Sequence, residues 1–458
     1  MAEAQPRRVA IVGAGPAGLF AAQHLMAGDH PPVFVDIFDR LPTPFGLLRY
    51  GVAPDHTSIK SVATALARTF ESDRVRFLGH VELGSDVTRQ QLLDAYDAVI
   101  YAVGAADDLL MDVPGEELLG SGSARHFVAW YGGHPDAVAH SLRGVRFVAC
   151  IGVGNVAVDV ARILAKDAGS LHETDMPEAV LAELEASDVT DIWIIGRRGP
   201  LHASYTTKEL RDLLATPGLE VIVEPGTFDG IDPTGLDRRT RANLEALRAV
   251  EDRDPTGDGP VRRRLHFLFW HRPIEIRGDQ RVSELVLERT MHDAGGRLVG
   301  TGEHRVIPVD QVFRAIGYQG VALPDVPFDH ERGVVPNEAG RVVGADGRPS
   351  PGEYVTGWIK RGAVGVIGTN KSDAAETISS LLADLADLAD LPDLPRHDAE
   401  PLERLRMDGV RPTTFDDWLA IDAAEVGRGE QLGRPRVKID TWGELMRLVD
   451  KERAVDGG

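Results

Sequence analysis

At 458 residues, with 43% apolar and 26% charged side chains, the chain has the composition of a globular protein of two or three domains. Its 50 basic and 71 acidic side chains give a formal net charge of −21, which opposes non-specific binding to nucleic acid or anionic membrane, and no apolar run reaches the length of a membrane span. The single cysteine, Cys150, excludes an intrachain disulfide, a redox-active dithiol and a cysteine-ligated iron–sulfur cluster.

The first apolar run, residues 8–12, leads into Gly13-Ala14-Gly15-Pro16-Ala17-Gly18 and then a helical pattern through Met26, the order that a dinucleotide-binding turn requires. Gly13 serves the tight bend, Gly15 lets the backbone approach a pyrophosphate, and Gly18 brings the helix close to its strand, with helix amides facing the phosphates. A strand that starts this early leaves no room for a signal peptide, so a cytoplasmic location is expected. The next strand, residues 33–39, ends at Asp39, where a carboxylate accepts hydrogen bonds from an adenosine ribose; a strand-end turn residue is the plainer alternative.

Residues 41–51, L-P-T-P-F-G-L-L-R-Y-G, are rich in Pro and Gly yet apolar, which suits a segment wrapped around a flat ring such as an isoalloxazine. His56 follows in Ala53-Pro54-Asp55-His56, and a lone histidine is more often structural than catalytic. The run 97–105 reads as a buried parallel strand closed by a glycine turn, and residues 313–318 repeat that form; the two mark crossings between domains.

Between them, residues 146–151 lead into Gly152-Val153-Gly154-Asn155-Val156-Ala157, a second loop with Ala157 in place of the third glycine. Two nucleotide sites in one chain imply electron transfer. After an acidic helical insert at 175–187 and a strand at 192–195, Arg197 and Arg198 stand where an NAD site has a carboxylate. Guanidinium groups there clamp a ribose 2′-phosphate, so NADPH is expected; a solvated basic turn is the alternative. Thr206-x-x-Glu209 matches a capping box, with Thr206 at the cap and Glu209 bonding back, a structural role that alone accounts for Glu209.

Strand-like runs at 265–270 and 282–287 read as a β-excursion, and Arg262, Arg263 and Arg264 with Arg211 are the candidates for a basic face on this acidic chain. Residues 354–362, Y-V-T-G-W-I-K-R-G, precede G-V-I-G-T-N at 365–370 and a long helical pattern. That helix would turn its positive end toward whatever the glycines approach, where a reduced flavin develops negative charge. Trp358 offers an aromatic face there or is simply a buried Trp before a turn. Residues 381–395 suggest a surface helix running into a linker, and the tail after 400, including residues 434–438, reads as packing or partner surface.

Taken together, residues 13–18, 41–56, 152–159, 196–200 and 357–370 resemble the adrenodoxin reductase family of ferredoxin–NADP reductases, especially its actinobacterial members; the string GWIKRG…GVIGTN is the most specific part of the match. The order of runs describes a discontinuous outer domain with an inserted inner one. The resemblance implies an α/β fold of two Rossmann-like dinucleotide-binding domains with parallel sheets, an NADP domain at 105–321 inserted into an FAD domain at 1–104 and 322–458. It implies FAD on Gly13, Ala14, Gly15, Gly18, Asp39, Leu47, Val81, Trp358, Gly365, Val366 and Ile367. NADP falls on Gly152, Gly154, Asn155, Val156, Arg197, Arg198, Glu209 and Gly365.

It also places His56 and Glu209 near the nicotinamide–flavin contact as catalytic residues, while Asp39 departs from the glutamate usual at its position. The implied activity is hydride transfer from NADPH to flavin N5, then single-electron transfer to an iron–sulfur ferredoxin, by a monomeric enzyme without a metal site. The competing readings are an NADPH-dependent flavin monooxygenase or other flavin oxidoreductase, and an NADP-sensing binding protein without turnover. A glutamate synthase small subunit would need a cysteine-rich cluster region that one cysteine cannot build.

Overall fold

Both faces of the first strand, β1 (Arg7–Val12), are covered: Val9, Ala10 and Ile11 are fully buried, the mark of a central parallel strand. The computed structural model describes residues 7–28, 30–251, 261–389 and 401–456. It divides into two compact units. The first is Met1–Val52, His56–Asp107 and Tyr318–Gly458, and the second is Ala53–Asp55 and Asp108–Gly317.

In the first unit β1 leads through Gly13 into α1 (Pro16–Met26), which has Gly15 at its cap and Pro16 at its first position, where a missing N–H costs nothing. β1 pairs in parallel with β2 (Val33–Asp39), Val9 opposite Val35. β3 (Val75–Gly79) lies beyond β2, and β4 (Ala98–Tyr101) flanks β1 on the other side, Val9 opposite Ala98. The chain then leaves this half-built sheet.

The second unit sets β5 (Ser121–Ser123), β6 (Phe147–Ile151), β7 (Asp191–Gly196), β8 (Leu219–Val223), β9 (Arg263–Phe269) and β13 (Gln311–Arg314) in one parallel sheet of order β5-β13-β6-β7-β9-β8. α2 (Asn155–Ala165) follows β6, and α3 (Thr207–Leu214) follows β7. The excursion is a separate antiparallel sheet of β10 (His271–Gly278), β11 (Val282–His292) and β12 (Leu298–Pro308). Residues 265–269, expected in the excursion, belong instead to the parallel sheet. Leu265, Phe267, Leu268 and Phe269 are all buried, as a strand covered on both faces requires, and only from His271 does the chain turn antiparallel.

Returning at Tyr318, the chain adds β14 (Asn337–Glu338), β15 (Arg341–Val343) and β16 (Pro349–Val355) to the first unit, giving the sheet order β14-β15-β16-β4-β1-β2-β3. β16 runs parallel to β4, with Glu353 opposite Val99. α4 (Thr369–Ala389) shares a core with α1 through Leu25, Ala374, Ile378 and Leu381. Of the expected helix-to-linker stretch, residues 390–395 lie outside the described residues. The tail folds as α5 (Phe415–Gln431) and α6 (Trp442–Asp456), whose Trp418, Ile421, Leu445 and Val449 join the same core, so it is packing rather than appendage.

Candidate functional site

Gly13 ends β1 at φ 114°, a conformation that L side chains resist, and a Cβ there would lie 2.5 Å from the Ala102 carbonyl oxygen. A Cβ on Gly18 would lie 2.0 Å from the Gly13 carbonyl oxygen, so α1 sits against the loop at a distance only glycine permits. Asp39 closes the site at the end of β2. Its carboxylate accepts the Ala14 N–H at 2.8 Å and the Leu41 N–H at 2.9 Å. Burial raises its pKa, and those two amides pull it back. Asp39 therefore pins the glycine loop with its own oxygens, and a ribose contact, if made, must share them. Val81, buried beside it, donates its N–H to the Asp39 carbonyl at 3.0 Å.

Residues 45–46 lie directly over this loop. Phe45 has φ 82° and Gly46 φ 49°; the Phe45 N–H donates to the Ala14 carbonyl at 2.9 Å, and a Cβ on Gly46 would come within 3.1 Å of Gly15 Cα. A phenylalanine held at positive φ is strained and persists only where its surroundings over-determine it. Here those surroundings come from the C-terminal tail. In the turn Leu47–Tyr50, Leu47 points outward while Arg49 is buried against Glu425 of α5, with N–O distances of 3.0 and 2.5 Å. The Arg49 guanidinium also lies 4.9 Å from the Tyr50 ring centroid and 4.8 Å from that of Trp418. Lys438 Nζ donates to the Arg49 carbonyl at 2.5 Å, and Glu425 further accepts the Ile439 N–H at 2.9 Å. Burial opposes the Arg49 charge, but Glu425 more than offsets it and the net shift is upward.

The other expected feature of this unit is the run from Gly357 to Asn370. Gly357 (φ 80°) starts a turn, Trp358–Arg361, so close to α1 that a Cβ on it would lie 2.6 Å from the Ala17 Cβ. Asp373 of α4 fixes the run: it accepts the Gly357 N–H at 2.5 Å and pairs with Arg361 at 2.8 Å and Lys360 at 3.1 Å. Trp358 stacks on Tyr318, with centroids 5.8 Å apart and planes at 21°, and among the described residues its buried indole Nε1 has no hydrogen-bond partner. Gly365, Val366 and Gly368 are exposed and Ile367 half-buried at the start of α4, so a surface of backbone and small side chains faces outward beside a waiting donor. That arrangement fits a flat polar ring. His56, in this unit, is buried; its carbonyl accepts the Ile59 and Lys60 amides, both at 3.1 Å.

In the second unit Gly152 repeats the first loop, with φ 132° and a Cβ that would lie 2.2 Å from the Ala315 carbonyl oxygen. Ala157 is buried where the first loop has Gly18, so the second loop accommodates a methyl group at this position. Residues 204–206 close over the loop: the Ser204 N–H donates to the Val153 carbonyl at 2.8 Å, and Asn155 Oδ1 accepts the Thr206 N–H at 2.8 Å. A Cβ on Gly154 would lie 3.3 Å from Ser204 Oγ, and Val156 is half-buried. Arg197 and Arg198 are exposed past the end of β7, and among the described residues neither guanidinium has an ion-pair partner.

Only half of the expected capping box forms. Thr206 Oγ1 accepts the Glu209 N–H at 3.4 Å, but Asn155 has taken the Thr206 amide, and the Glu209 carboxylate turns to Arg162 Nη1 at 3.2 Å. Arg162, on α2, is fully buried and also pairs with Asp55 at 2.8 and 3.0 Å and Asp159 at 2.9 Å, while Lys166 reaches Asp55 at 2.7 Å. Burial works to raise the Asp55 pKa, yet Arg162 and Lys166 hold that carboxyl well below the ordinary carboxylate range. The expected basic face does not assemble at 262–264: Arg262 pairs with Asp167, Arg263 donates to the Lys166 and Val189 carbonyls, and Arg264 pairs with Asp191. Cys150 is buried, which pushes its thiol up to about 12 and leaves it inert.

Sequence reading missed Arg49, Glu425, Asp55 and Arg162. Asp159 and Arg162 at i,i+3 were a visible ion-pair spacing. The others join residues far apart in the chain and left no local signal.

A family model described as pyridine nucleotide-disulphide oxidoreductase matches residues 7–215. The chain is 42% identical over 461 residues to the NADPH-ferredoxin reductase FprA of Mycobacterium tuberculosis, covering 97% of this chain and 99% of that one. It is 40% identical over 461 residues to the mitochondrial NADPH:adrenodoxin oxidoreductase of Bos taurus, covering 97% and 92%. The solved structure of M. tuberculosis FprA in complex with NADPH matches at a TM-score of 0.90 and 41% identity, over 97% of this chain and all of that one. Among the described residues no helix is long and apolar enough to cross a membrane.

Proposed function

Because the chain belongs to the family of NADPH-ferredoxin and NADPH:adrenodoxin oxidoreductases, we propose that it is an FAD-dependent NADPH–ferredoxin reductase, working as a cytoplasmic monomer, with FAD on the first unit and NADP(H) on the second. The observation that carries this reading is the contrast between the two strand ends. Asp39 closes the first glycine loop with a carboxylate, and Arg197 and Arg198 close the second with two exposed cations that have no ion-pair partner among the described residues. The first suits a ribose with free hydroxyls and the second a ribose 2′-phosphate.

Bound FAD supplies the conversion of a two-electron hydride into single electrons, which an iron–sulfur acceptor requires. The chain's own residues supply binding and orientation. Backbone at Gly13–Gly15 and Gly152–Gly154 admits the two pyrophosphates, and α1 and α2 turn their positive ends toward them. Trp358 Nε1 is a donor held ready for an acceptor, on a turn that Asp373 keeps rigid. Leu47 and Val81 line the first site, and Gly365, Val366 and Ile367 present backbone. His56 and Glu209 are the candidates beside the reacting atoms. Support for Glu209 as a fixed carboxylate comes from Arg162, whose guanidinium orients it.

Anaerobic titration of the purified protein with NADPH and, separately, NADH tests the reading. Preferential bleaching of a flavin absorption band by NADPH, followed by reduction of an added ferredoxin, is expected. A colourless protein, or a flavin that neither coenzyme bleaches, would refute it.

A further inference from the structure

The peptide group that joins Tyr205 to Thr206 is held at both of its polar ends by asparagines from different helices. On one side Asn155, the first residue of α2, accepts the Thr206 N–H on Oδ1 at 2.8 Å. On the other, Asn243 in the helix Arg238–Glu251 donates from Nδ2 to the Tyr205 carbonyl at 3.1 Å. Because a peptide group is planar, holding its C=O and its N–H together fixes the whole plane. Residues 203–206 lie outside any strand or helix, so these side chains stand in for the ladder that would otherwise hold them.

What the fixed peptide carries is the cover of the second glycine loop. Just before it, the Ser204 N–H donates to the Val153 carbonyl at 2.8 Å, and Ser204 Oγ also reaches that carbonyl at 3.3 Å. Just after it, Thr206 caps α3. Asn243 makes its contact from inside the core. It is 3% exposed, and the adjoining Leu244 and Leu247 are buried with Tyr205, Leu210 and Leu213 in one apolar cluster. Among the described residues its Oδ1 has no hydrogen-bond partner. A buried amide oxygen left without a partner destabilises a fold, and a leucine of similar shape would fill the place without that penalty. For stability alone asparagine is a poor choice here; for holding the Tyr205 carbonyl an amide donor is required.

We propose that Asn243 is a positioning residue for the coenzyme: from the side opposite α2 it holds residues 204–206 in place over Gly152–Gly154, and so sets how firmly the loop grips a pyrophosphate. The assignment rests on the NADP(H) reading of the second unit and adds to it a residue that acts through the backbone of another segment. A pyrophosphate is common to NADPH and NADH, whereas the 2′-phosphate is not. Asn243 therefore bears on the affinity for both coenzymes, and Arg197 and Arg198 on the choice between them.

The rate of anaerobic flavin bleaching in the flavin-loaded protein, followed against the concentration of NADPH and of NADH, tests this beside thermal unfolding. Asn243→Leu removes the donor together with the unpaired acceptor. It should unfold no lower than the parent, yet need roughly five- to tenfold more of either coenzyme for the half-maximal rate, with the ratio between the two unchanged. Asn243→Ala lacks the donor and adds no bulk, so it should show the same equal losses even if leucine does not fit the core. Arg197→Ala/Arg198→Ala should instead change the ratio. If it does, while both Asn243 variants bleach like the parent or lose affinity for NADPH alone, the positioning role is wrong and the NADP(H) reading stands. If NADPH does not bleach the parent, both fall.

Discussion

The two glycine loops of this chain share a backbone and differ in what surrounds it. Both bend at a positive-φ glycine pressed against a carbonyl of the neighbouring strand's end, Ala102 in one and Ala315 in the other. At the third position the first loop has Gly18 in near contact with the Gly13 carbonyl, and the second has a buried alanine. Each is also covered differently. A strained segment, residues 45–46, lies over the first and is anchored by a buried ion pair to the C-terminal tail; the unstrained residues 204–206 lie over the second and are anchored by Asn155. The turn is generic, and identity comes from the strand end and the lid.

The comparison breaks most sharply at the third glycine. Gly18→Ala places a methyl group 2.0 Å from a carbonyl oxygen that cannot yield, so α1 must move off β1. A loss of at least about 3 kcal/mol in the first unit is expected. Flavin content and thermal unfolding of the purified variant check this; a yellow protein of parental stability would contradict it.

Removing the cation beneath the second loop comes next. Arg162→Met takes away the guanidinium that pairs with Asp55, Asp159 and Glu209, and should cost about 3–5 kcal/mol in denaturant unfolding. The same cluster has a pH signature. Because the folded Asp55 pKa is depressed, its contribution is present above the unfolded carboxylate pKa and is lost as pH falls through that value toward the folded one. Asp55→Asn should flatten the acid limb of the stability curve, and an unchanged limb would remove Asp55 from the account.

The strand-end contrast is sharpened by Arg197→Ala and Arg198→Ala. Each should weaken NADPH by about 1–3 kcal/mol and leave NADH nearly unaffected, read as kcat/KM for the two coenzymes. Equal losses would remove the 2′-phosphate assignment. The smallest effect is expected from the reciprocal of the first change: Ala157→Gly should cost about 1 kcal/mol of helix stability, with coenzyme selectivity unaltered.

What was legible in the chain was whatever lay within about ten residues of itself. The glycine loops, Asp39, the arginine pair and the run 357–370 are local patterns whose geometry follows from strand, turn and helix periods. The excursion was found but begun too early, because an apolar run covered on both faces and the strand that follows it look alike until the hydrogen bonding reverses. Glu209 was read as a cap partner from spacing alone; nothing nearby announced that Asn155 would take its place and Arg162 would claim the carboxylate. The bond from Arg49 to Glu425 joins opposite ends of the sequence, where no periodicity reaches.

The order in which the chain is made carries a consequence of the split first unit. A ribosome delivers β1 to β4, then all of Asp108–Gly317, and only afterwards the strand that pairs Glu353 with Val99. The second unit is nearly contiguous, so all it needs for folding as it emerges is at hand once Gly317 has been made, Ala53–Asp55 having been synthesised already. Meanwhile β4 waits with its free edge exposed, the kind of edge that recruits other chains. A nascent polypeptide stalled before residue 349 would thus carry a finished half and a sticky one, and aggregation during expression should begin at β4 rather than in the longer inserted unit.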